Sequence, residues 1–105
     1  MESPFNAHLE IEAEQVTVCL SGELDLATRP SLMTALDEAV STGTPTVVVD
    51  MRGLSFIDST GISALLRATH EGTQNGHQVQ FLRSDGPVER TLRTAGVHAL
   101  LPLAA

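Results

Sequence analysis

The chain has 105 residues, 42% of them hydrophobic and 18% charged, with a net charge of −7. That is one domain, 1–105, large enough to bury a core without metals or disulfides. No apolar run approaches the roughly 20 residues of a membrane span, and an acidic chain lacking a basic stripe or stacking aromatics is poorly built to bind nucleic acid. A protein partner with a basic face is the better match for the charge.

The opening stretch, MESPFNAHLEIE, carries glutamates and no basic cluster, so no secretory leader is expected and the expected address is cytoplasmic. Leu9, Ile11 and Ala13 alternate with Glu10, Glu12 and Glu14, then Val16, Val18 and Leu20 with Thr17 and Cys19. This period of two predicts two strands, joined in a hairpin near Glu14-Gln15. Cys19 has no second cysteine to pair with; it reads as a half-buried strand position with no chemical role.

After SGELDLAT, Pro30 suits the first turn of a helix, with Leu32, Leu36, Ala39 and Val40 on one face and Gly43 as the stop. Thr46 to Asp50, TVVVD, is a β-branched run without alternation, as expected of a central strand covered on both faces. A second helix starts at Thr60, with Ile62, Leu65, Leu66 and Thr69 on its apolar face and Asn75-Gly76 at its end. QVQFL gives a fourth strand. Pro87 opens a third helix with a stripe of Val88, Leu92 and Ala95, closed by Gly96, and VHALLPL adds a short strand or turn of helix.

The order β-β-α-β-α-β-α predicts an α/β domain: a mixed, mostly parallel sheet with an N-terminal hairpin and helices packed on it. The loops leaving the carboxyl ends of parallel strands share one edge, where open α/β sheets usually carry their sites. Asp25, Asp58 and Ser59 are expected to be neighbours there, with Asp85 at the same edge.

In FIDSTG, residues 56 to 61, two hydroxyls follow a carboxylate at a helix start, and Leu54, Phe56 and Ile57 are expected to anchor the preceding loop against the core and so hold Ser59 in a defined, exposed place. One reading is an ordinary helix cap. A nucleophile needs a base within hydrogen-bond reach. His8, His70, His77 and His98 are scattered, expected at the surface, and His70 falls roughly 15 Å along the same helix at 1.5 Å per residue. The third reading is a residue modified by another protein. No H-E-x-x-H, C-x-x-C or G-x-x-x-x-G-K-[ST] pattern is present, so neither a metal site nor a cofactor is expected. Glu23 and Asp25 read as solvated carboxylates on an exposed side of a loop.

The blocks SGELDLATRPSL, VVVDMRGLSFIDSTGISALL and PVERTLRTAGV together resemble, in order and spacing, the bacterial anti-sigma factor antagonists, which are stand-alone STAS domains. The resemblance runs from about Leu9 to Leu103. It implies a regulator whose unphosphorylated form binds an anti-sigma factor and so releases a sigma factor; the chain itself is expected to be a monomer and not an enzyme. The anti-sigma factor is itself a serine kinase that phosphorylates and inactivates the antagonist, and a metal-dependent, PP2C-type phosphatase reverses the step. By position the phosphorylated residue is Ser59, and Asp25, Asp58, Ser59, Thr60 and Gly61 form the partner-binding surface. Thr60 is expected to cap or support the helix and Gly61 to leave room for a close approach. Many family members have a second glycine where this chain has Ser63. The alternative is a STAS-type scaffold subunit of a signalling or lipid-transport assembly, without a phosphoswitch.

Overall fold

A computed structural model describes residues 5–104; residues 1–4 and 105, which include the start of the stretch read as leaderless, lie outside the described residues. In chain order the elements are β1 (Asn6–Ile11), β2 (Gln15–Leu24), α1 (Arg29–Ser41), β3 (Thr46–Ile57), α2 (Ser59–Gln74), β4 (Gln78–Leu82), α3 (Pro87–Thr94) and a final turn of 3-10 helix at His98–Leu100. The sheet order is β1-β2-β3-β4, antiparallel between β1 and β2 and parallel across the rest. This is the expected mixed α/β sheet with its N-terminal hairpin. The last segment combines both expectations for VHALLPL, since Leu103 also bridges to Phe81 alongside β4.

The core lies on one face of the sheet. Val16, Val18, Leu20 and Leu24 of β2, Val47, Val49 and Met51 of β3, and Val79 and Phe81 of β4 pack there against Leu32, Leu36 and Ala39 of α1, Ile62 and Leu65 of α2, and Val88 and Leu92 of α3. Val48, whose neighbours predicted cover on both faces, is buried but stands outside this cluster. Two residues expected on apolar helix faces are exposed: Val40 on α1 and Ala95, which follows the last turn of α3. In Ala95's stead α3 buries Glu89, which pairs with Arg83 at 3.3 Å and Arg93 at 3.5 Å, while Arg83 donates to the carbonyl of His98 at 2.7 Å. This ion-pair group ties α3 and the 3-10 turn to the end of β4. His77 and His98 are half-buried, and His77 Nδ1 lies 3.1 Å from the Thr44 carbonyl, so only His8 and His70 are the surface residues expected.

The main departure from expectation is the length of β2 and β3. Their C-terminal halves, read as loops, pair with each other through Ser21–Gly53, Gly22–Leu54, Glu23–Phe56 and Leu24–Ile57. Between Cys19 and Ser21 the chain takes two steps while β3 takes three from Asp50 to Gly53; between Gly22 and Glu23 it takes one while β3 takes two from Leu54 to Phe56. Each extra residue is a β-bulge, which bends and twists the strand that carries it. The core positions of β3 accordingly fall at 47, 49, 51, 54 and 57, with two spacings of three. At the first bulge β3 runs so close to β2 that a Cβ on Gly53 would lie 2.6 Å from the Leu20 carbonyl oxygen. The two long strands project a paired ribbon, and its tip carries the candidate site.

Candidate functional site

At the tip, Leu24 and Ile57 are register partners, and the Asp58 N–H donates to the Leu24 carbonyl at 3.2 Å. Asp25 and Asp58 each follow one member of that pair, so the two residues are neighbours, as the shared edge of the parallel strands predicts. Asp85 instead lies exposed in the β4–α3 loop, and the groove beside Ser59 is lined on that side by α3, from Pro87 onward, without Asp85.

Asp58 is the N-cap of α2. Its backbone is extended, and its carboxylate accepts from the Gly61 N–H at 2.9 Å. This satisfies one of the orphan donors of the first turn and sets a negative charge at the positive end of the helix dipole. The cap therefore falls to Asp58, not to Thr60, which is half-buried one residue into the helix. Ser59, the first helical residue, is exposed, and its hydroxyl makes no hydrogen bond among the described residues. With the capping work done by its neighbour, the hydroxyl faces solvent uncommitted.

Gly61 is buried. A Cβ there would lie 2.9 Å from Ile57 Cγ1, 2.9 Å from Leu24 Cγ and 3.0 Å from the Leu24 carbonyl oxygen. The missing side chain lets the first turn of α2 sit directly on the β2–β3 ribbon, so the space expected to admit a partner is taken up inside the domain. Through this packing the ribbon fixes the height and direction of Ser59.

Asp25 is half-buried and its carboxylate is committed to its own loop. Oδ1 accepts from the Thr28 N–H at 3.0 Å, and Thr28 Oγ1 in return accepts from the Asp25 N–H at 3.0 Å. The Thr28 hydroxyl proton is shared between the Glu23 carbonyl at 2.8 Å and Asp25 Oδ1 at 3.1 Å, the shorter bond favouring Glu23. This reciprocal pair shapes the turn that leads into α1.

Leu26 and Arg90 carry no expectation from the sequence, and Phe56, expected with Leu54 and Ile57 to anchor the loop against the core, stands exposed instead while those two are buried, because the spacing of three in β3 turns it away from the core. Leu26 and Phe56 are 72% and 47% exposed, each within two residues of a site carboxylate, and Glu23, the register partner of Phe56, is exposed beside it. Their placement makes an apolar and acidic rim. Ser59 and Ile62 of α2 face Pro87, Arg90, Thr91 and Thr94 of α3 across a shallow groove of about 600 Å³. Arg90 lies 31 positions from Ser59, and only the fold joins them.

Comparison with known proteins gives a consistent result. The family described as "Mlab, STAS domain" matches residues 7–102. An anti-sigma F factor antagonist of Paenibacillus polymyxa is 30% identical over 102 residues, covering 94% of this chain and 87% of that protein. The crystal structure of an anti-sigma factor antagonist from Mycobacterium paratuberculosis superposes with a TM-score of 0.82 at 25% identity, over 98% of this chain and 89% of that one. SpoIIAA, another anti-sigma factor antagonist, shares the fold in its unphosphorylated form, with a TM-score of 0.74 at 22% identity over 95% of this chain and 89% of its own. The phosphorylated form of the Bacillus SpoIIAA does so with a TM-score of 0.66 at 24% identity, over 95% and 92%. Among the described residues no helix is long and apolar enough to cross a membrane. The chain belongs to the STAS domain family, and within it is similar to anti-sigma factor antagonists.

Proposed function

We propose that this protein is an anti-sigma factor antagonist that acts in the cytoplasm as a single domain, 1–105, and switches partners through one phosphate on Ser59. The unphosphorylated form binds an anti-sigma factor serine kinase and so releases a sigma factor. Phosphorylation of Ser59 by that kinase ends the binding, and a PP2C-type phosphatase restores it. The similarity to proteins named as anti-sigma factor antagonists supports the class of partner. The observation that carries the switch is the division of labour at the start of α2: Asp58 takes the cap, and the Ser59 hydroxyl stays exposed and unbonded.

The physics of the tip is consistent with that role. A phosphate adds about −1.5 to −2 charge at neutral pH, here beside Asp58 and on a rim that includes Glu23 and Asp25. A basic partner face that complements the unmodified rim is mismatched to the phosphorylated one. Leu26 and Phe56 supply apolar area to bury, and Thr60 flanks the contact. A scaffold subunit has no need of a free hydroxyl fixed at this point, so the switch is the better reading.

Incubation with the anti-sigma kinase and ATP, followed by fragment mass spectrometry, tests the assignment. One phosphate on Ser59 is expected; a phosphate placed mainly on Thr60 or Ser63 overturns it.

A further inference from the structure

The face of the sheet opposite the helices carries a mixed set of donor groups that the tip does not use. His8 and Cys19 are register partners across β1 and β2, so their side chains leave the same face of adjacent strands. Glu10, two residues beyond His8 in β1, leaves that face too. The imidazole, the carboxylate and the thiol each present a ligand atom, and these atoms all lie within 4.8 Å of one another. His8 Nε2 is 3.7 Å from Glu10 Oε2. The next residue in the same row is Asp50, the β3 partner of Cys19, whose carboxylate is held by Arg52 at 2.9 Å.

We propose that His8, Glu10 and Cys19 form a binding site for a divalent transition metal of the zinc class. One nitrogen, one oxygen and one sulfur converging from two hydrogen-bonded strands match the donor preferences of zinc, whereas magnesium and calcium require shells of oxygen. The hairpin register holds the donors in place before any ion arrives. On binding, the Cys19 S–H bond breaks, its proton passes to solvent, and the sulfur electron pair forms the bond to the metal. Three protein ligands leave the fourth position of a tetrahedral ion to water. Asp50 adds negative charge to the row without being a ligand, because Arg52 occupies both of its oxygens. Cys19, which the sequence left without a chemical role, acquires one from the residue that pairs with it.

The test uses the untagged, reduced chain titrated with Co²⁺ and then Zn²⁺. One equivalent of Co²⁺ should produce a thiolate-to-metal charge-transfer absorption with intense tetrahedral bands in the visible, and Zn²⁺ should displace it while excess Mg²⁺ does not. Cys19→Ser should abolish the charge-transfer band. Glu10→Gln and His8→Ala, both at exposed positions where circular dichroism can confirm an intact fold, should weaken binding at least about tenfold. His70→Ala, on the exposed side of α2, should leave it unchanged. A weak octahedral spectrum without charge transfer, or an affinity indifferent to Glu10→Gln and His8→Ala, overturns the site.

Discussion

Replacing Asp58 separates the two things this residue does, capping a helix and presenting a charge. Asp58→Ala removes the acceptor of the 2.9 Å bond from the Gly61 N–H. Loss of such a cap typically costs about 1 kcal/mol, and loss of a charge from the helix N-terminus about 0.3–1 kcal/mol more. In a domain of about this size 1 kcal/mol shifts the melting temperature by roughly 4–8 °C, so Asp58→Ala should melt about 5–15 °C lower. Asp58→Asn keeps an oxygen acceptor of the same reach and forfeits only the dipole contribution, so its loss should be at most about half as large. Thermal melts of the three proteins in one buffer, with partner affinity measured in parallel, resolve the roles. The reasoning is refuted if Asp58→Ala melts with the parent protein, or if Asp58→Asn falls as far as Asp58→Ala. If the partner reads the charge, Asp58→Asn should lose affinity out of proportion to its small loss of stability.

Asp25→Ala should cost about 1 kcal/mol by opening the reciprocal pair with Thr28, as well as weakening partner binding; chemical denaturation that shows no loss would mean the loop is held without it. Gly61→Ala should destabilise by about 1–2 kcal/mol despite the better helix propensity of alanine, because the 3.0 Å approach to the Leu24 carbonyl oxygen is to rigid backbone and forces α2 to move; a higher melting temperature would contradict the close packing. The Arg52 guanidinium, mainly by its hydrogen bonds, holds the Asp50 carboxyl below its ordinary value of 3.8. Since that folded value is depressed, the stability Asp50 contributes is present above about pH 4 and is lost as pH falls through the lowered value. Arg52→Gln should move the Asp50 titration, followed by carboxyl NMR, to higher pH; an unmoved titration would remove the pair from the account.

Much of this fold is legible because its signals are local. The alternation in β1 and β2 locates the hairpin, Pro30 and Pro87 mark two helix starts, Gly43, Gly76 and Gly96 stand just past the three helix ends, and the runs TVVVD and QVQFL mark the start of β3 and the whole of β4. What was missed depends on contacts between distant segments. The bulges in β3 change its core spacing from two to three at Leu54 and again at Ile57, so MRGLSFI shows no readable period and passed for a loop. The proximity of Asp25 and Asp58 is legible because topology alone dictates it. The roles of the neighbouring residues were less visible. Whether Asp58, Ser59 or Thr60 caps α2 turns on a single extended backbone angle pair at Asp58, and whether Gly61 serves a partner or the interior turns on the position of Leu24, 37 residues earlier. Ala95 and Val40 followed helical spacing yet lie beyond the reach of the sheet.

The phosphoswitch is tested most directly by the affinity of the anti-sigma kinase for the two forms of this protein, measured by titration of unphosphorylated and Ser59-phosphorylated chain. A phosphate at the start of α2 gains about 0.3–1 kcal/mol from the helix dipole and meets repulsion of similar order from Asp58, so the fold and its melting temperature should change by a few degrees at most. Across the interface nothing offsets the added charge, and like-charge contact costs several kcal/mol, at 1.4 kcal/mol per factor of ten. The predicted result is an affinity at least about a hundredfold lower for the phosphorylated form, with Ser59→Ala binding like the unmodified protein. Equal affinity for the two forms would contradict the switch.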